Sequence, residues 1–385
     1  MSERFDVIVA GVGGMGSAAA YHLAQRGRKV LGLERFSIPN EMGSSHGVSR
    51  IIRLAYFEHP SYVPLLRRSY ELWRELEADA PDRLLHITGC LHVGAPGTAV
   101  LDGCLRSCEE HGLAHEVLSS AEVCRRFPAY RLPEETMAVL DAEGGFLVPE
   151  KCIEAHAAGA RAAGADLREG EAVLEWEPVG DGVRVRTGRG EYEADRLVLT
   201  AGSWNGKLAG SFRPVLQPER QVLAWLQVER PENFEPAVFP VFVMEVPEGM
   251  FYGFPLFAGG PPGFKLGRFH HRHEAVDPDL LDRAGAGPAD ERLLRDFAAT
   301  YFPDGAGPAE AMKVCMFTNT PDEHFILDLH PDLPQVVLGG GFSGHGFKFC
   351  SVVGEILADL ALEGQTRHGI DLFRAGRFEA LLTAR

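Results

Sequence analysis

The sequence predicts an α/β fold in which a doubly wound, mostly parallel sheet is joined to a second, mainly antiparallel sheet. Three observations predict it. The chain begins with an apolar run, Val7-Ile8-Val9-Ala10, that enters the glycine turn Gly11-Val12-Gly13-Gly14-Met15-Gly16 and then the alanine-rich residues 17–26. It ends in the same manner: Val336-Val337-Leu338 runs into Gly339-Gly340-Gly341 and Gly344-His345-Gly346, and then Val352, Val353, Ile356, Leu357 and Leu360 recur at helical spacing. Between these ends, residues 221–228, 251–257 and 264–269 read as strands of an antiparallel sheet, interrupted by Gly259-Gly260-Pro261-Pro262-Gly263.

The first element reads as strand, tight turn and helix. Gly11 makes the turn, Gly13 lets backbone approach a pyrophosphate, and Gly16 lets helix pack close to strand. Phosphate then rests on the helix N-terminus, where free N–H groups and the dipole favour negative charge. A second apolar run, 30–33, ends in Glu34, about 20 residues on, where an acid accepts hydrogen bonds from a ribose. Strand, glycines, helix, strand and acid in this order indicate an adenine dinucleotide site.

Residues 44–53, Ser44-Ser45-His46-Gly47-Val48-Ser49-Arg50-Ile51-Ile52-Arg53, form a polar loop that turns apolar. Its two arginines, three apart, suit one face of a helical turn. A helix follows from Pro64 to the breaker at Pro81, with Leu65, Leu66, Leu72, Trp73 and Leu76 on its apolar face. Residues 87–94 read as one strand, and 99–111, 120–127 and 149–163 as helices, the last opening with proline and ending at Gly164. Residues 172–176 and 183–187, joined by Gly180-Asp181-Gly182, read as a hairpin. The run 196–202 repeats the theme of strand into small-residue turn, ending at Gly202. Residues 291–301 form an amphipathic helix.

At 385 residues the chain exceeds the size at which one core keeps growing, so two domains are expected. A formal net charge of -16 argues against nucleic acid or an anionic membrane surface as partner. The uncharged stretch 7–25 holds four glycines, His22 and Gln25, and lacks the flanks of a span or signal sequence. A soluble, cytoplasmic protein is therefore expected. Seven cysteines without a CxxC argue against a disulfide scaffold and structural zinc. His270-His271-Arg272-His273-Glu274 is read as no metal site, because adjacent histidines in a strand face opposite ways.

Three glycine turns, at 11–16, 201–202 and 339–346, exceed what a nicotinamide site needs and suit a longer ligand such as FAD. At this point the residues resemble a known family. The blocks DVIVAGVGGMG, GSSHGVSRIIRLAY, YVPLLRRSYELW, TGCLHVG, LVLTAGSWN, YGFP, FKLG, VCMFT, PDEHFILDLHP and GFSGHGFKF, in this order over nearly the whole chain, resemble the monomeric sarcosine oxidase and N-methyltryptophan oxidase family of D-amino-acid-oxidase-like flavoenzymes.

The resemblance implies a Rossmann-like FAD-binding domain of residues 1–85, 148–217 and 322–385, and a mainly antiparallel substrate domain of residues 86–147 and 218–321. It implies FAD held by a thioether from Cys315, whose attacking thiolate needs a partly accessible, electropositive setting. It implies Lys265 over the flavin as a fixed cation for oxygen reduction. Arg53 and Lys348 match the pair that grips a substrate carboxylate, Arg50 a second arginine near the flavin, Tyr252 a pocket tyrosine, and Gly344 a residue whose missing side chain leaves room for substrate. Further flavin contacts are implied at Met15, Arg35, Ser44, His46, Val173, Trp204, His345 and Gly346, with Lys348 and Arg50 serving cofactor as well as substrate.

Three positions depart from the family pattern: Phe317 stands for a tyrosine, Val243 for a methionine, and Phe269 for a histidine. His270 follows Phe269 and is taken into the catalytic set as that histidine shifted by one. The activity implied is oxidation of a secondary-amine amino acid by a monomeric enzyme with molecular oxygen, giving an imine and hydrogen peroxide. A bulkier or cyclic substrate such as N-methyltryptophan or pipecolate, a dehydrogenase passing electrons to a carrier, and a non-catalytic flavin subunit are the alternatives.

Overall fold

The protein is described by a computed structural model over residues 3–383. Its first sheet grows from the strand Glu3–Ala10, which lies parallel between Val30–Leu33 and Glu191–Leu199. Asp166–Arg168 continues the parallel order on one side and Leu333–Gly340 on the other, and Ile326–His330 closes that edge antiparallel. The predicted hairpin is present as Val173–Val179 and Gly182–Thr187, turning at Gly180 with φ +58° and extending from the Glu191–Leu199 strand.

Apolar runs without alternation suit this sheet because both faces are covered. Val7 and Val9 join Ala19, Leu23, Val353 and Ile356 under the helices Gly14–Gln25 and Cys350–Glu363, while Ile8 and Ala10 join Leu31, Leu199, Val336 and Phe212 on the other side. Among the described residues, no helix is long and apolar enough to cross a membrane.

The second sheet has eight strands in the order Ala309–Asn319, Gln217–Leu226, Phe264–Arg268, Gly249–Phe254, Val241–Val246, Cys90–Gly94, Met137–Asp141 and Glu116–Ser119. Every pairing is antiparallel except that of Val241–Val246 with Cys90–Gly94. One face is an aromatic core of Phe239, Phe242, Phe251, Phe264 and Phe302, closed by the helix Pro288–Tyr301. Phe251 stacks on Phe297 of that helix with ring centroids 3.8 Å apart. Burying one such ring stabilises the fold by about 2 kcal/mol, so this face is committed to the core.

Alternation then sends the neighbouring residues to the opposite face. Cys315, Leu223, Trp225, Lys265, Tyr252, Val243 and His92 stand there, aligned by the pairings of Gln221 with Cys315, Trp225 with Lys265, Val243 with Tyr252 and Val243 with His92. A small third sheet, Arg50–Ile52, Gly145–Leu147 and Leu85–Ile87, stands beside them.

Several expectations need correction. Residues 50–53 are not a helical turn: Ile51 and Ile52 carry Arg50 into a strand paired with Gly145–Leu147, so the two arginines diverge. The predicted strand 87–94 is two strands, Leu85–Ile87 and Cys90–Gly94, broken where Gly89 takes φ +76°. The segment 270–273 is not strand but turn, with positive φ at His270 and His273. The strands Val241–Val246 and Ala309–Asn319 were not anticipated at all.

Candidate active site

The chain leaves its first strand through Gly11, at φ +90°, where a Cβ would stand 2.6 Å from the Ala201 Cα. A Cβ at Gly16 would fall 1.8 Å from the Gly11 carbonyl oxygen, so helix and turn pack as tightly as the spacing predicts. At Gly13, by contrast, no described heavy atom beyond its chain neighbours and its own helix lies within 4 Å of that point. The helix Gly14–Gln25 has no side-chain cap and no acid in its first turn, so its leading N–H groups are available to an anion. Glu34 accepts the Val12 N–H at 2.8 Å and the Phe36 N–H at 3.0 Å. Burial raises its carboxyl pKa against the pull of those N–H groups.

A long groove opens from this turn toward the second sheet. Its wall includes Gly11, Gly13, Met15, Glu34, Arg35 and Ser44, then Arg50, Val173, Gly202 and Trp204, and at its far end Gly344 and Gly346. Five residues predicted for the cofactor stand behind the wall: Gly16, His46, Cys315, His345 and Lys348. Asp279 was not predicted, yet it closes the groove's edge by accepting from Arg35 at 2.6 Å and Trp204 at 2.8 Å, with Lys207 on its other oxygen at 2.6 Å.

Where the groove meets the second sheet, Lys265 is 2 % exposed and its Nζ donates to the Gly47 oxygen at 2.6 Å, the Ser49 carbonyl at 2.7 Å and the Ser49 hydroxyl at 2.9 Å. Burial, and then Arg50, pushes its pKa well below the usual lysine range. Arg50 donates to the Ser49 and Ser44 carbonyls, both at 2.9 Å, which holds its guanidinium on the groove wall. Cys315 lies two strands from Lys265 on the same face. Its thiol is electropositively set but buried rather than partly accessible: burial raises its pKa while Arg50 and Lys265 pull it back.

Arg53 and Lys348 are both buried, and Lys348 feels the charges of Arg53 and Glu58. Arg53 donates to the Ala55 carbonyl at 3.0 Å and to both Glu58 oxygens at 2.7 and 2.8 Å, and lies 4.2 Å from the Tyr56 ring centroid. Burial pushes the Glu58 pKa up, but Arg53, with His345 and Lys348, more than offsets it and holds the carboxyl below the usual range. Nothing in the sequence singled Glu58 out. Lys348 donates to the His345 carbonyl at 2.7 Å, and burial followed by Arg53 brings its pKa down to about 7. Tyr56 Oη lies 2.6 Å from His345 Nδ1. Desolvation keeps His345 neutral near pH 7, with a pKa of about 4.

Three aromatic rings form an apolar wall. Phe317 is 5.2 Å from Phe269, itself 6.1 Å from Tyr252, measured between ring centroids. Gly344 has φ +79°, and a Cβ there would fall 2.4 Å from the Phe317 ring. The predicted catalytic role of His270 does not fit its place. Its Nδ1 sits 3.1 Å from both Glu219 oxygens and its Nε2 3.0 Å from Glu323, and these two partners raise its pKa to about 9. With both nitrogens engaged by carboxylates, it has no free site for a substrate proton. The turn also brings His273 beside it, stacked at 5.5 Å, so that Glu219, His270 and His273 offer atoms within 4.8 Å of one another. The strand-alternation argument against metal at this segment therefore does not hold, although Glu219 and His270 already satisfy each other.

The sequence profile of the family described as FAD dependent oxidoreductase matches residues 6–360. The chain belongs to this family. It is 42% identical over 381 residues to monomeric sarcosine oxidase of Bacillus sp. (strain B-0618), covering 98% of this chain and 97% of that protein. It is 35% identical over 381 residues to N-methyl-L-tryptophan oxidase of Salmonella arizonae, covering 97% and 99%. Among solved structures, NikD, an unusual amino acid oxidase essential for nikkomycin biosynthesis, superposes with a TM-score of 0.83 at 28% identity, covering 97% of this chain and 98% of that one.

The FAD-dependent oxidoreductase has a groove whose donors fit its cofactor. The uncapped helix, the open space at Gly13 and the backbone turn at Gly202, φ +55°, suit a pyrophosphate and ribose. At the other end, both ring nitrogens of His46 are buried without a hydrogen-bond partner among the described residues, beside Arg50. Buried polar atoms of this kind call for a polar partner, and the edge of a flavin ring supplies one.

Proposed function

We propose that this flavoenzyme oxidises amino acids bearing a secondary amine, with N-methyl amino acids as its substrate class. The observation that carries the reading is the buried Arg53–Lys348 pair, two cations within each other's field in a chain whose groove fits FAD. FAD, when bound, supplies the two-electron chemistry at the N-alkyl carbon and passes the electrons to molecular oxygen. The protein's part is placement and charge. Arg53 draws in the substrate carboxylate with its planar set of N–H donors, and Lys348 adds a point charge. The Phe317 ring fills the space that Gly344 leaves, where a Cβ would fall 2.4 Å from it, and so bounds the room for the N-alkyl group.

No side chain near this pair is assigned as general base. His345 is neutral but its ring is engaged by Tyr56 and by the Glu323 carbonyl at 2.9 Å, so the substrate binds as its neutral amine. Water hydrolyses the imine product, which for an N-methyl substrate gives formaldehyde and the amino acid. Lys265 is the fixed cation beside which oxygen becomes hydrogen peroxide, and Cys315 carries the flavin as a thioether.

The rest of the reading comprises a cofactor domain of residues 1–85, 148–217 and 322–385, a substrate domain of 86–147 and 218–321, and a monomeric, cytoplasmic enzyme. The apolar Phe269–Phe317 wall favours one second reading, a bulkier or cyclic secondary amine such as N-methyltryptophan or pipecolate. A peroxide assay over a panel of secondary amines, each with and without a carboxylate, tests the proposal. Turnover confined to amines lacking the carboxylate would refute it.

A further inference from the structure

His92 stands at the centre of the strand Cys90–Gly94, paired with Val243 on one side and Val139 on the other. Paired residues share a face, so His92 lies in the row that continues through Val243 and Tyr252 to Gly267. This is the face that carries Lys265 and Cys315. The loop bearing Arg53 is pinned over the same region, because Asp141, on the adjoining strand, accepts the Leu54 N–H at 2.6 Å and the Ala55 N–H at 3.1 Å. The imidazole of His92 is fully buried, and neither ring nitrogen has a hydrogen-bond partner among the described residues. Burial, reinforced by Arg53 and Lys348, keeps the ring neutral. It therefore presents one donor and one acceptor, both unused.

Sheet stability does not call for a histidine here. A leucine would fill the site without stranding two polar atoms. We propose that His92 is a specificity-determining residue that hydrogen-bonds the neutral polar end, a hydroxyl or carboxamide, of a substrate side chain reaching past Val243 while Arg53 and Lys348 hold the carboxylate. An apolar side chain leaves both nitrogens unpaired. A second carboxylate brings another charge into a buried site and matches only the donor. A carboxamide or hydroxyl satisfies both. The inference rests on the secondary-amine reading for the identity of the substrate, and on the geometry alone for the carboxylate-plus-polar-end pattern.

The test compares isosteric pairs on the holoenzyme. N-methylasparagine is set against N-methylleucine, each as both enantiomers, by kcat/KM for peroxide release, and succinamate against 4-methylpentanoate by calorimetric binding. The native enzyme should prefer the carboxamide of each pair by about tenfold or more. His92→Leu, which replaces an unsatisfied buried ring by an apolar side chain, should fold, keep its rate with sarcosine, and lose that preference; His92→Gln should retain part of it. A native enzyme indifferent to the carboxamide, or a preference that survives in His92→Leu, would overturn the proposal. If no secondary amine is turned over, the reaction class falls, and the binding pair still decides the role of His92.

Discussion

Arg53 and Glu58 form a mostly buried ion pair in which one guanidinium nitrogen donates to both carboxylate oxygens, with the arginine side chain 3 % exposed and the glutamate 13 %. The residue proposed to grip the substrate carboxylate is thus already paired with a carboxylate of its own chain. Arg53→Ala removes two charge-assisted hydrogen bonds to substrate, a loss of about 3 kcal/mol or roughly a hundredfold in kcat/KM. It also strands Glu58, costing about 3 kcal/mol of stability. Thermal denaturation separates the two effects: Arg53→Ala with Glu58→Ala should regain stability and not carboxylate affinity. Recovery of both would contradict the clamp.

Lys265 donates to three oxygens, which favours its ammonium form against the burial that lowers its pKa, beside the place proposed for oxygen reduction. Lys265→Met should slow reoxidation of the reduced enzyme by oxygen by about a hundredfold or more, and slow reduction by substrate much less. Stopped-flow measurement of the two half-reactions decides, and equal losses would remove the proposed role.

Lys348 gives the enzyme a pH dependence. Burial and Arg53 lower its pKa to about 7, while Glu58 pulls the other way. A bound carboxylate favours the ammonium form, so above that pKa binding must take up a proton. Affinity for carboxylate substrates is therefore full below about pH 7 and declines by up to about tenfold per pH unit above it. Lys348→Met should flatten this limb, and an equally steep limb in that variant would assign the titration elsewhere.

Cys315 shares a sheet face with Lys265, and Arg50 and Lys265 offset the rise in its pKa caused by burial. After denaturation and precipitation, the yellow colour should stay with the native protein and appear in the supernatant from Cys315→Ala. Free flavin from the native enzyme would rule out the thioether.

The parts of this site legible in the sequence are those set by local geometry. Gly11 and Gly16 are dictated by a turn and a close contact within a few residues, and Glu34 by the length of one βαβ unit. Cys315 and the cationic residues are legible only through resemblance: the strand carrying Cys315, Ala309–Asn319, has no clear alternation to announce it, and Arg50, Arg53, Lys265 and Lys348 come from separate segments of the chain. Glu58, Asp279 and His92 carry no local signal. Asp279 acquires its role from Arg35, 244 residues away, and His92 from the register of a sheet. His270 was misplaced because the strand was assumed to continue, whereas the chain turns at φ +51° and points the ring at Glu219.

Anaerobic mixing of the yellow holoenzyme with sarcosine, followed by admission of oxygen, tests the central claim most directly. The account expects the flavin absorbance to bleach, one formaldehyde to form per flavin, and the colour to return with one hydrogen peroxide on oxygenation. A flavin that stays oxidised with sarcosine and every other N-methyl or cyclic secondary amino acid would contradict it.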